Sequence, residues 1–283
     1  MKKNIRINFV DFWQGFDKIN NYFYNLLKEE FNVEISSQPD YLFFSVFGPE
    51  SLRYNCKKIF YTGENVRPPL WYCQYSFSFD YLDDPRNYRL PYYLLCDGYY
   101  ELARPKIIEE NYLNKKFCNF IVSNDGCETR NVFFKKLSKY KKVDSGGRHM
   151  NNIGHVISGG RNANNIELAI KEKRRFQSSY KFSIAFENQI YPGYTTEKIL
   201  DPMTVNSIPI YWGNPRISEE FNSKSFVCFT DFKNMEEMIE FIIFLDKNDD
   251  KYLETLKKPW FTDNKIQENY NLDSIKKFLY SIF

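Results

Sequence analysis

Lys198 stands in the first turn of an expected helix, directly after Thr195-Thr196-Glu197. Threonines cap helix starts by accepting hydrogen bonds from free backbone N–H groups, and an apolar-periodic run follows them here. A lysine is favourable at the C-terminal end of a helix and works against the dipole at the N-terminal end. An ammonium beside exposed N–H groups makes a site for an anion, most naturally a phosphate or diphosphate. Taken singly, Lys198 fits a solvated surface lysine as well. It does not stand singly, because a β-rich run, Phe182 to Phe186, leads into Glu187-Asn188 and then a polar loop ending in Pro192-Gly193-Tyr194. Behind the helix lies a second strand-like run, Ile208 to Gly213.

The ordered pieces Phe186-Glu187-Asn188, Tyr194-Thr195-Thr196-Glu197-Lys198-Ile199 and Ile208-Pro209-Ile210-Tyr211-Trp212-Gly213, with Phe60-Tyr61-Thr62-Gly63-Glu64-Asn65 upstream, resemble the donor-binding signature of the α1,3-fucosyltransferases. The likeness runs from about Phe60 to about Phe232 and is loose over the first 50 residues and the last 40. It implies an α/β fold of GT-B type, two Rossmann-like domains facing a cleft. It also implies transfer of L-fucose from GDP-fucose, with inversion, to the 3-OH of GlcNAc in N-acetyllactosamine-type glycans, giving a Lewis x-type product. The soluble bacterial members are the nearer likeness, which places the chain in the cytoplasm, with peripheral attachment to the inner face of the membrane left open.

Inverting transfer needs a base for the acceptor hydroxyl and positive charge for the departing diphosphate. No two aspartates stand at i and i+2, so the D-x-D pair that often holds a divalent ion is missing and side-chain cations must substitute. No cofactor is expected, and a divalent ion at most stimulates. By resemblance Glu64 is the base, Arg130 binds the diphosphate through a fork suited to two phosphate oxygens, and Asn188, Tyr194, Glu197 and Lys198 contact the donor. Gly63 before Glu64 is expected to let the backbone turn sharply. Arg148 and Arg161, in two Ser-Gly-Gly-Arg tetrapeptides, are weaker cationic candidates, and Glu187 either orients its neighbours or serves as a further acid behind the site. Tyr211 and Trp212 fit either the guanine side of the pocket or the core, the commoner place for aromatics after a strand. Trp71, Tyr72, Tyr92 and Tyr93 are aromatic enough to stack on sugars, with no assignment among them.

The elements that must carry these groups alternate. Ile5, Ile7 and Phe9 mark a first strand, and Phe16, Ile19, Phe23, Leu26 and Leu27 recur at helical spacing after it. Short strands follow at 33–35, 41–46, 58–62 and 75–79, then a helical charged stretch near 103–116. A buried strand at 117–122 opens a second block, with helices near 129–140, 166–176 and 235–245, and strands near 143, 182, 208 and 226–229. We expect an acceptor-binding domain over 1–115, a GDP-fucose-binding domain over 116–270, and a terminal helix over 271–283 that packs back on the first domain.

Composition bounds the alternatives. With 39 basic and 36 acidic residues among 283, the net charge of +3 calls for neither nucleic acid nor an anionic membrane as partner. Six scattered cysteines without a C-x-x-C pair favour a reducing compartment. No eighteen apolar residues run together, so no spanning helix is expected. Two histidines are too few for a phosphatase built on His and Asp ligands. The alternatives left are the same fold with another donor, acceptor or linkage, such as α1,4, and a carbohydrate-binding protein without catalysis.

Overall fold

The computed structural model describes residues 2–157 and 166–283. The second Ser-Gly-Gly-Arg copy, with Arg161, lies outside them. The chain forms two compact units, Met1–Leu95 with Gln267–Phe283, and Cys96–Ile266.

The first unit is built on a six-stranded sheet of β1 (Asn4–Val10), β2 (Asn32–Ile35), β3 (Tyr41–Phe44), β4 (Lys57–Tyr61), β5 (Tyr75–Ser78) and β6 (Asn87–Arg89), in the order β2-β1-β3-β4-β5-β6. Every pairing is parallel. Such sheets are covered on both faces, which is why Leu42, Phe43 and Phe44 are all buried. On one face lies α1 (Tyr22–Glu30), whose Phe23 ring meets those of Phe43, Tyr61 and Phe77 at about 5 Å. The helix starts at Tyr22 rather than near Phe16. Asn21 caps it, and the Asp17 carboxylate has already taken the N–H groups of Ile19 and Asn20 into a turn. The last helix of the chain, Leu272–Ser281, packs beside α1 through Lys276 on Glu29 (2.6 Å) and the Tyr280 hydroxyl on Leu26 O (2.9 Å).

The second unit holds β7 (Lys116–Phe120), α2 (Glu128–Leu137), β8 (Val143–Ser145), α3 (Ile166–Gln177), β9 (Tyr180–Phe186), α4 (Glu197–Thr204), β10 (Ile208–Trp212), β11 (Val227–Cys228), α5 (Met235–Lys247) and α6 (Asp249–Lys257). Its parallel sheet runs β11-β10-β9-β7-β8, and all seven residues of β9 are buried. Numbered within the unit, the strand order is 2-1-3-4-5, so the connections reverse direction between β7 and β9. Open parallel sheets bind ligands at the carboxyl ends of strands flanking such a reversal.

Residues 103–116 form no α-helix; short 3-10 turns at Tyr100–Ala103 and Glu110–Asn114 stand there instead. Their contacts explain it. The Lys106 ammonium donates to Leu256 O and lies over the Trp260 ring, and that of Lys115 donates to Asn206 O (3.0 Å) just past α4. An extended strap reaches these points and a helix would not. By contact this stretch belongs with the second unit. No helix among the described residues is long and apolar enough to cross a membrane.

Candidate donor site

Arg130 lies in the first turn of α2 and is 1% exposed. Its Nη2 donates to Asn124 O (2.7 Å) in the loop after β7, while its Nη1 donates to Asn188 Oδ1 (3.0 Å) and Phe186 O (3.4 Å) at the end of β9. The guanidinium therefore spans the reversal point of the sheet. Its Nε is buried with no acceptor, and among the described residues no carboxylate pairs with it within 4 Å. Burial lowers its pKa, opposed by Cys127, Glu187 and Tyr194, yet a guanidinium stays charged. A buried charge without a counter-ion is costly, and an anion would remove that cost.

Glu187 directly follows β9, and its N–H extends the ladder to Trp212 O (2.8 Å). Its fully enclosed carboxylate accepts from Thr196 N (2.8 Å), from Thr196 Oγ1 (3.0 and 2.7 Å) and from Lys198 Nζ (3.2 Å). Thr196 is the N-cap of α4, and its Oγ1 accepts from the Lys198 ammonium at 3.0 Å. Lys198 is also 3.7 Å from Glu197 Oε1. The lysine that opposes the helix dipole thus has two carboxylates to offset the repulsion. Burial works to lower its pKa, but Glu187 and Glu197 outweigh it and the net direction is up. Burial pushes Glu187 up against the pull of Lys198, whereas Lys198 and Lys173 overcome burial to bring Glu197 down to about 2.

The loop between them is pinned from β10. Gly193 sits at φ 85°, a conformation that favours glycine, and its N–H donates to Asn214 Oδ1 (2.7 Å). The Asn214 amide reaches Thr195 Oγ1 (3.0 Å) and Glu220 Oε1 (2.6 Å), and its backbone N–H donates to the Tyr211 hydroxyl (3.0 Å). Tyr211 is buried and acts as a strut, and Tyr194 is buried in the same loop. At Gly213 a Cβ would lie 2.5 Å from Glu187 Cγ, so the absence of a side chain is what lets Glu187 fit.

Lys173 and Asp201 escaped the sequence reading. Lys173 Nζ is 2.7 Å from Asp201 Oδ2 and 4.0 Å from Glu197 Oε1, and Arg174 holds the other oxygen of Asp201 at 3.0 Å. Glu197 and Asp201 at i and i+4 share one face of α4, a spacing that could have pointed to a basic partner. Among the described residues around the helix start, the cations Arg130, Lys173, Arg174 and Lys198 outnumber the carboxylates Glu187, Glu197 and Asp201.

Glu64 lies in the first unit, half-buried in the loop after β4. Its N–H donates to Thr62 Oγ1 (3.0 Å), and its carbonyl accepts from Val66 N (2.7 Å), which folds the loop tightly on either side. Gly63 serves differently from the expected sharp turn. Its φ is not positive, and its bare Cα admits the Tyr92 ring, which a Cβ would meet at 3.2 Å. Trp71 is 88% exposed, Tyr93 is buried and can offer no face to a sugar, and Arg148 is exposed.

Residues 7–96 match the family described as Alpha-(1,3)-fucosyltransferase FucT N-terminal domain, and residues 112–277 match Glycosyltransferase family 10 (fucosyltransferase) C-term. The chain belongs to the family 10 fucosyltransferases. Its relatives include the Alpha-(1,3)-fucosyltransferase FucT of Helicobacter pylori, 32% identical over 94% of this chain, and Alpha-(1,3)-fucosyltransferase B of Drosophila melanogaster, 32% identical over 57% of it. The chain spans 63% and 35% of their respective lengths. A solved α1,3-fucosyltransferase with GDP-fucose superposes with a TM-score of 0.81 at 28% identity, over 100% of this chain and 91% of that one. In this member of the family the two parallel-sheet units are those of a GT-B-type α/β fold.

Proposed function

We propose that this chain transfers L-fucose from GDP-fucose to the 3-OH of GlcNAc in N-acetyllactosamine-type glycans, with inversion and in a single displacement. The observation that carries the reading is Arg130, a buried guanidinium fixed across the reversal point of the sheet with an Nε–H that has no acceptor. A diphosphate supplies both the charge and the acceptor that the group lacks. In the reaction the acceptor hydroxyl gives its proton to Glu64 as its oxygen bonds to the fucosyl carbon. The bond to GDP breaks with its electron pair on the diphosphate, where Arg130 and Lys198 stabilise the developing charge. Asn188, Tyr194 and Glu197 hold the donor. These cations take the place of a divalent ion, and the work is done in the cytoplasm.

Calorimetry of GDP binding with and without chelator tests the site, and turnover of a panel of sugar nucleotides with N-acetyllactosamine and lactose tests the reaction. We expect chelator-independent binding and GDP-fucose as the fastest donor. Binding lost on chelation, or faster turnover of another sugar nucleotide, overturns the reading; a product linked through another hydroxyl corrects the linkage alone.

A further inference from the structure

The inference rests on the reading of Arg130 and Lys198 as the diphosphate site and concerns a group that reading does not use. Glu187 has a fully enclosed side chain at the carboxyl end of β9. Thr196, Glu197 and Lys198 face it from the start of α4, Arg130 from the start of α2, and Tyr211 from β10 with Glu220 beyond, while Cys127 Sγ donates to its backbone carbonyl. Lys198 is the cation that touches it, at 3.2 Å. That ammonium has three oxygen neighbours, Glu187 Oε2, Thr196 Oγ1 and Glu197 Oε1. Two of its three N–H groups are bonded, to Glu187 and Thr196, so a phosphate drawn to Lys198 takes the third or displaces Glu187, and either way it brings negative charge beside a carboxylate enclosed by protein. The carboxylate has no room to retreat, because Gly213 closes on its Cγ and three bonds from Thr196 hold it.

We propose that Glu187 is a positioning residue and the built-in counter-ion of the donor site, ionised against Lys198 while the site is empty and protonated once a diphosphate takes that ammonium over. One proton from solvent adds to Oε2, on the lone pair directed at Thr196 Oγ1, and no other covalent bond changes. The new O–H donates to Thr196 Oγ1, 2.7 Å away, so the N-cap stays fixed through the exchange. Burial, which already favours the neutral carboxyl, works in the same direction. Donor binding is thereby linked to proton uptake.

The test is calorimetric titration of GDP into the full chain at about pH 7, in buffers of different ionisation enthalpy, for wild type and Glu187→Gln. Titration of the nucleotide's own phosphate is common to both proteins and cancels in the difference. Wild type is expected to take up on the order of half a proton more than the variant, which still binds GDP. Equal proton counts would overturn the proposal. If Glu187→Gln does not fold, the infrared difference spectrum of wild type with and without GDP decides the matter. A protonated-carboxyl band that appears on binding, and shifts when glutamate is isotopically labelled, supports the proposal, and its absence refutes it. Arg130→Lys and Lys198→Met separate the two failures, since unchanged GDP affinity in both sinks the diphosphate reading itself, whatever the proton count.

Discussion

Replacing Arg130 by lysine keeps the charge and removes the fork. The guanidinium reaches acceptors at 2.7, 3.0 and 3.4 Å in the loop after β7 and at the end of β9, and an ammonium on a shorter reach meets one of them at best. A hydrogen bond from a charged group contributes about 1.5–3 kcal/mol, so losing one well-aimed arm on the diphosphate costs up to about 3 kcal/mol, or ~100-fold in GDP affinity. Thermal unfolding reads this directly. At a GDP concentration near 100 times the wild-type Kd, the nucleotide stabilises wild type by about 2.7 kcal/mol, and the same concentration stabilises the variant by only ~0.4 kcal/mol. For a unit the size of Cys96–Ile266 the wild-type rise in Tm is ~5–10 °C and that of the variant ~1 °C. Without nucleotide the variant should already melt below wild type, because an ammonium cannot keep the bonds to both Asn124 O and Asn188 Oδ1, so the comparison is made on the GDP-dependent shift of each protein. A variant whose GDP-dependent shift stays within about threefold of wild type in apparent Kd would refute the reasoning.

Four further outcomes are expected. Glu64→Gln should lower kcat by about 10²–10⁴-fold while GDP affinity, measured by calorimetry, stays at the wild-type value. Glu197→Gln should cost ~2–3 kcal/mol in urea unfolding at about pH 7: the folded pKa of about 2 lies below the ordinary carboxylate value of 4.5, so the contribution is complete above that value and disappears as pH falls through the lower one. Gly213→Ala should destabilise by about 1–3 kcal/mol and weaken GDP binding, since the new methyl lands 2.5 Å from Glu187 Cγ. Transfer measured after exhaustive chelation should retain most of its rate, and strict dependence on an added divalent ion would count against the cation pair.

Legibility followed burial. The strands β3, β4, β7, β9 and β10 were readable because parallel strands covered on both faces appear as continuous apolar runs, and α4 because Thr196 caps it. The three-residue β6 carries too little pattern to register, and α6 begins one residue after α5 ends, with Asn248 closing one helix and capping the next. The stretch 103–116 misled for another reason: its charged composition suits a helix, but Lys106 and Lys115 are drawn to carbonyl groups in α6 and just past α4, which are remote in sequence.

The candidate site divides along the same line between local and long-range information. Lys198 looked anomalous because a helix dipole is a local property, visible in the residues around it. The carboxylate that offsets it lies eleven residues earlier, at the end of a strand, and only the path of the loop through Gly193 and Asn214 brings it to 3.2 Å. Once that pairing is counted, the lysine is no longer surplus, and the uncompensated charge at the reversal point is that of Arg130. A phosphate therefore gains most from the group whose local sequence, a helix-surface arginine pattern, said least. On the proposal above, Lys198 is released to that phosphate as Glu187 takes up a proton.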